Sequence, residues 1–246
     1  MKSIAVTLLA LAFPVLLFSQ DIFDLAARGT PAQVQAALSA GATANARDPR
    51  GETVLMRAAR LTMSPGVIST LVKAGARVGD VDPHGATALL LAARDNARPE
   101  VARALVESGA DVNARDREGE TPLMGAASSN GNPAVLALLL ERGAGVNDRN
   151  AAGATPLMLA AALNTEPQAI AVLLKSGARI DEQDPDGKTA LMFAARFNPD
   201  PRVVAVLLDA GADGRLRSAE GRTAADYAAA NPALAGTKEL LRLEGR

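Results

Sequence analysis

The sequence predicts an all-α solenoid of about seven stacked helix pairs joined by β-hairpin-like turns, and three recurring features predict it. Gly51, Gly85, Gly119, Gly153, Gly187 and Gly221 lie 34 residues apart without a register slip. Each is followed two positions later by a threonine: Thr53, Thr87, Thr121, Thr155, Thr189 and Thr223. A Gly-Ala pair then recurs at Gly75, Gly109, Gly143, Gly177 and Gly211, and Gly41 extends that register towards the N-terminus. A fixed period of this size marks one small unit repeated. Each copy buries its apolar face against its neighbours, and the stack shares one elongated core. With 48% hydrophobic but only 2% aromatic residues, that core must be built of Ala, Leu and Val.

The fourth unit, residues 116 to 147, shows how each element arises. Asp116 and Gly119 bound a tight turn, the aspartate accepting backbone hydrogen bonds and the glycine supplying a positive φ. Thr121 then opens a short helix, its hydroxyl suited to the N-cap and Pro122 to the first helical position, where no amide hydrogen is needed. Ala126 and Ala127 are small enough for the next unit to approach closely. After a polar loop, Pro133 starts a second helix, whose Val135, Leu138 and Leu139 recur at helical spacing and which Gly143 ends. The same proline recurs at Pro65, Pro99, Pro167 and Pro201.

The two ends depart from the pattern as caps should, because a terminal unit has one face with no neighbour. Asp21 to Ala40 form a shortened helix pair in which Ala26 and Ala27 are followed by a very brief loop. At the other end, Gly221 and Thr223 are kept while Ala225 and Asp226 replace the leucine and methionine columns. Residues 21–246 therefore read as a single domain, with an N-terminal cap over 21–50, regular units from about 51 and a C-terminal cap over 221–246.

These residues resemble the ankyrin repeat, whose pattern of Asp-x-x-Gly-x-Thr-Pro-Leu, paired alanines, a Leu-Leu helix and Gly-Ala-x-x-Asn is matched over about residues 21 to 243. Tetratricopeptide arrays share the 34-residue period, but they place bulky aromatics in both helices and lack the glycine-rich hairpin. Two departures are systematic. The family's usual period is 33, and the additional residue here falls just before the proline column. The family histidine after Thr-Pro-Leu is replaced by Met56, Leu90, Met124, Met158 and Met192, so apolar packing is expected to take over the joint that the histidine makes by hydrogen bonds. The leader described next makes the chain resemble the bacterial extracytoplasmic members of that family.

Residues 1–20 read as a secretory signal peptide: Lys2 precedes an uncharged stretch from Ser3 to Gln20 with an apolar centre from Ile4 to Phe18. Pro14 interrupts the run, and Phe18-Ser19-Gln20 offers no small-x-small cleavage site, so an uncleaved membrane anchor is the alternative; the stretch is at the lower edge of what spans a bilayer core of about 30 Å. Either outcome places the repeats outside the cytoplasm, in the periplasm or the medium. Cysteine is absent, which excludes disulfides, thiolate metal sites, cysteine nucleophiles and a lipid on an N-terminal cysteine.

The chemistry is otherwise sparse, and neither an enzyme nor a cofactor nor a small-molecule substrate is expected. A formal net charge of −1 with no Lys/Arg run leaves nothing to attract nucleic acid. His84, the one histidine, sits in the turn tip Asp82-Pro83-His84-Gly85 without a serine or cysteine partner. Gly187-Lys188-Thr189 imitates the end of a phosphate-binding loop, but Glu182 stands where the first glycine is required. Alternate carboxylates from Glu182 imitate a calcium loop, but the closing ligand position is Phe193.

What the resemblance implies instead is a partner protein bound by a monomer, on a concave groove made of hairpin tips and the exposed side of the first helices. Aligned by unit, one column of that face reads Arg57, Leu91, Gly125, Leu159, Phe193, and the next reads Leu61, Asp95, Ser129, Leu163, Phe197. Leu159, Leu163, Phe193 and Phe197, flanked by Arg196 and Lys188, are the candidate partner site. The competing reading is that these four side chains pack as ordinary core under the enlarged loop.

Overall fold

The computed structural model describes residues 21–245; the candidate leader 1–20 lies outside the described residues. The described chain contains fourteen α-helices and no strand, with isolated β-bridges in two of the turns, Arg47 to Thr53 and Val81 to Thr87. The first helix of each unit is α1 (Ile22–Arg28), α3 (Val54–Leu61), α5 (Ala88–Asp95), α7 (Pro122–Ser129), α9 (Pro156–Leu163), α11 (Ala190–Phe197) and α13 (Ala224–Ala228). The second helices are α2 (Pro31–Ser39), α4 (Pro65–Lys73), α6 (Pro99–Glu107), α8 (Pro133–Glu141), α10 (Pro167–Lys175), α12 (Pro201–Asp209) and α14 (Lys238–Leu243). First helices stack on first helices and second on second, giving two rows. None is long and apolar enough to cross a membrane.

The expected columns take their expected places. Every first helix from α3 to α13 is capped by its threonine, whose Oγ1 accepts the amide three residues on. Such a cap contributes on the order of 1 kcal/mol. The prolines occupy the first turn of α4, α6, α8, α10 and α12. The six hairpin glycines all have φ between 73° and 85°. At Gly119 a side chain is also excluded by proximity, since a Cβ there would lie 3.0 Å from the Ala151 amide of the next hairpin.

Between the rows lies a continuous apolar core. The alanine pairs Ala58–Ala59, Ala92–Ala93, Ala126–Ala127, Ala160–Ala161 and Ala194–Ala195 are almost fully buried, which lets first helices approach side by side. The methionine column is buried beside them. In α3 and α9 the methionine sulfur also accepts the N–H of the capping threonine, 3.3 Å from Thr53 N and 3.5 Å from Thr155 N. In the C-terminal cap Asp226 takes over that role, accepting from Thr223 N at 2.7 Å, which accounts for its replacement of methionine.

Apolar packing does not carry the joint between units alone, contrary to the expectation from the missing histidine. Asn96, Asn130, Asn164, Asn198 and Asn231, each just beyond a first helix, are buried and form a ladder. Asn164 Nδ2 donates to Ala127 O at 3.0 Å and Asn130 O at 3.1 Å; Asn198 repeats this on Ala161 O and Asn164 O, both at 2.9 Å. Each side-chain amide thus fills one of the last carbonyls of the preceding first helix, which has no partner within that helix, and the carbonyl of the residue that caps it. The same side chain's Oδ1 accepts the backbone amide two residues on, Glu166 N for Asn164, and so shapes the loop into the next helix.

A second ladder ties the hairpins. Arg115 Nη1 donates to Gly119 O in its own turn and to Arg149 O in the next; Arg47 Nη1 does the same two units earlier, and Arg149, one unit later, reaches Gly153 O with Nη1 and Gln183 O with Nη2. Gln183 substitutes for arginine with a single Nε2 reaching Gly187 O and Arg217 O.

Candidate functional site

The first helices and hairpin tips form one face of the stack, and its two ends differ in chemistry. At the α3 and α5 end the charged side chains pair with one another beside a single exposed leucine, Leu61. Arg57 pairs with Asp48 at 2.9 Å, Arg60 with Glu52 and Asp95 at 2.7 Å each, and Arg94 with Asp95 at 3.0 Å. In the middle, Gly125 is buried: a Cβ there would meet the Arg94 side chain at 3.3 Å.

The α9 and α11 end is apolar. Leu163 and Phe197, at the ends of these adjacent helices, are 58% and 59% exposed. Leu159 and Phe193, one turn earlier, are half-buried, and Phe193 leans on the core. The structure thus divides the four candidates: Leu163 and Phe197 project from the surface, while Leu159 and Phe193 form the floor beneath them. The Phe193 and Phe197 rings lie 6.3 Å apart at a tilt of 32°, within the range of a favourable aromatic pair.

The two candidate cations flank this surface in different states. Arg196 has its guanidinium carbon 5.9 Å from the centre of the Phe197 ring. Lys188, on the hairpin tip before α11, donates to Asp186 at 2.9 Å, and that hydrogen bond holds its ammonium above the ordinary lysine range. Thr189 beside it is the N-cap of α11, so the Gly187-Lys188-Thr189 stretch is spent on helix initiation. Asp184 gives its carboxylate to the amides of Asp186 and Lys188.

Between α11 and the C-terminal cap these groups enclose a pocket of 190 Å³. Met192, Phe193 and Phe197 line one side and Tyr227 of α13 the other. Glu220 and Arg222, on the last hairpin, complete its rim and pair with each other at 3.4 Å. Tyr227 is fixed by its hydroxyl, which donates to Ser218 Oγ at 3.0 Å, while the Arg222 guanidinium lies over its ring at 5.9 Å. The cap residues keep the register, since Glu220, Arg222 and Tyr227 stand 34 positions after Asp186, Lys188 and Phe193; the available signal was Tyr227, which continues the Leu159 and Phe193 column and is the only tyrosine in the chain.

His84 is exposed at its turn tip, its carbonyl accepting Arg117 N of the next hairpin at 3.0 Å. No group of three or more potential metal ligands occurs among the described residues.

The family model for ankyrin repeats (3 copies) matches residues 22–116, 113–184 and 161–245, nearly the whole chain. No curated protein matches.

Proposed function

The chain belongs to the ankyrin repeat family, and we propose from that premise that it binds a partner protein outside the cytoplasm through the groove face of its fifth and sixth units. Ankyrin repeats are in general protein–protein interaction modules and are typically non-enzymatic. In this reading the chain is a monomer, delivered to the periplasm or the medium by residues 1–20. Leu159, Leu163, Phe193 and Phe197 are its apolar anchors, and Arg196 and Lys188 form a charged rim.

The observation that carries the reading is the exposure of Leu163 and Phe197 side by side at 58% and 59%. Equivalent positions elsewhere are Leu61, Asp95 and Ser129, so the stack accepts a polar group there and does not require an apolar one. Large apolar side chains on rigid helices, ringed by polar groups, are where binding energy concentrates.

The test is Phe197→Ala, assayed by calorimetry against the partner recovered from the native envelope. Truncation should cost about 2 kcal/mol or more of binding, with the melting temperature nearly unchanged. A variant that melts several degrees earlier yet binds normally while folded would place the side chain in the core and the site elsewhere. Mass spectrometry of the mature N-terminus tests delivery, since retention of Met1 to Gln20 would favour a membrane-anchored spacer in the envelope over a free binder.

A further inference from the structure

Arg60, Arg94 and Arg196 occupy the same column, the seventh residue after the capping threonine in the second, third and sixth units. The first two share one carboxylate, Asp95, which follows Arg94 in sequence and faces Arg60 from the neighbouring unit. In the sixth unit both sources of that carboxylate are gone. The residue after Arg196 is Phe197, and the residue before the ladder asparagine of the next unit is Ala230. Arg196 meets no carboxylate among the described residues and lies over an aromatic ring instead. Stacking on a ring occupies the face of a guanidinium but leaves its in-plane N–H donors free.

The charge around it points the same way. Of the three cations on the rim of the pocket beside Arg196, Lys188 is paired with Asp186 and Arg222 with Glu220, which leaves Arg196 as the uncompensated charge. Its volume of 190 Å³ is below the roughly 300–1,000 Å³ of pockets that hold small molecules and cofactors. It suits one or two side chains of a polypeptide, with Met192 and Phe193 as floor.

We propose that this pocket receives a linear peptide segment of a partner protein in which a carboxylate lies beside a bulky apolar side chain. The carboxylate pairs with Arg196 through two parallel N–H···O bonds, and the apolar group covers Phe193 and Phe197. The proposal rests on the reading of this face as the partner site and adds the chemistry of what that site selects.

The experiment selects random linear peptides displayed on phage against the purified full-length chain, then measures the enriched peptides by fluorescence anisotropy with the parent, Arg196→Glu and Phe197→Ser proteins. Far-UV circular dichroism confirms that both variants fold. The expected consensus pairs Asp or Glu with Phe, Leu, Ile or Met. Its affinity should fall about tenfold or more in each variant, through loss of the charge-assisted bidentate contact in Arg196→Glu and of the buried apolar contact in Phe197→Ser. Changing the peptide's acid to its amide should weaken binding to the parent protein but not to Arg196→Glu.

Peptides that need Phe197 but are indifferent to Arg196→Glu would overturn the acidic requirement and leave the partner face standing. Peptides indifferent to both would overturn the two together. Failure to enrich any peptide would overturn the proposal, as would dimerisation of the chain through Phe197 in sedimentation, or binding of phosphatidylglycerol vesicles lost in Arg196→Glu without a selected peptide.

Discussion

Replacing Asn164 with alanine removes three hydrogen bonds, two across the joint between the fourth and fifth units and one within the loop of the fifth. Two run from Nδ2 to the carbonyls of Ala127 and Asn130 at the end of α7, and one from Glu166 N to Oδ1. The side chain is 5% exposed, so water reaches these groups poorly. A hydrogen bond contributes about 1 kcal/mol net, and a buried polar group left without a partner costs about 1–3 kcal/mol. The expected loss is therefore about 2–4 kcal/mol, within the non-additivity of bonds that share a loop. Asn113 supplies the control: it bridges units through Nδ2 to Gly143 O and Oδ1 from Gly145 N, both at 3.1 Å, but at an exposed site. There water replaces the lost bonds, and Asn113→Ala should cost about 1 kcal/mol or less. Urea unfolding followed by far-UV circular dichroism measures both, as midpoint shifts at constant slope. A lowered slope for Asn164→Ala alone would mean that the two halves of the stack unfold separately, as nearest-neighbour coupling predicts for a weakened interface. Equal losses for the two variants, or less than about 1 kcal/mol for Asn164→Ala, would refute the ladder as a stabilising joint.

Two further predictions concern charge and packing. The Arg149 guanidinium, hydrogen-bonded across the hairpins to Glu182, holds that carboxyl below the 4.5 of a free glutamate. A depressed folded pKa gives stability that is present above 4.5 and is lost as pH falls through the folded value; Glu182→Gln should therefore melt earlier than the parent at neutral pH and converge with it in acid, and a constant difference across that range would contradict the assignment. Ala126→Leu places a larger side chain at a fully buried contact between first helices, and should cost about 1–3 kcal/mol by overpacking. Trimming Leu243 to Arg246 from the end of the cap should cost less in the same melt, and equal losses would argue against interfaces as the main source of stability.

The parts of the fold legible in the sequence are those fixed by a residue's own backbone. A glycine at positive φ, a threonine that caps the helix it begins and a proline at a first helical turn each act within a few residues, so a 34-residue period makes them visible as columns. The asparagine ladder was equally periodic, at 96, 130, 164 and 198, but an asparagine in a polar loop reads as a turn residue. Its partners lie 34 and 37 positions earlier, and only the stacked chain brings them near. Arg115 was hidden for the same reason, its second acceptor lying 34 residues on. At the candidate site the column alignment picked out the right helices but could not rank four apolar side chains by exposure. Whether Phe193 or Phe197 projects depends on one turn of helix and on what the next unit places against it. The cap residues that complete the pocket, Glu220, Arg222 and Tyr227, keep the period, but that they face α11 across a pocket shows only once the units are stacked.

The contrast between the two ends of the face bears directly on where a partner gains most. Around α3 and α5, Asp48, Glu52 and Asp95 already hold Arg57, Arg60 and Arg94, and only Glu52 Oε2 and Arg57 Nε, facing each other at 3.7 Å, stand too far apart for a hydrogen bond. A ligand docking there must first break bonds within the chain and can at best replace them, so exchange yields little net free energy. Around α11 the chain offers an arginine without a carboxylate and the exposed Phe197 side chain beside half-buried Phe193, so contacts made there are added to those already present. The helices that carry them are held from behind by the asparagine ladder: Asn198 Nδ2 fills the end of α9, and Asn231 Nδ2 fills the end of α11 through Ala195 O and Asn198 O. Side chains on such fixed elements lose little freedom on binding. A face whose charged groups are engaged at one end, beside the lone exposed Leu61, and whose Arg196 is free at the other, beside the exposed pair Leu163 and Phe197, favours docking at the free end, which is the physical reason to expect the effect of Phe197→Ala to exceed that of any single substitution at Arg57, Arg60 or Arg94.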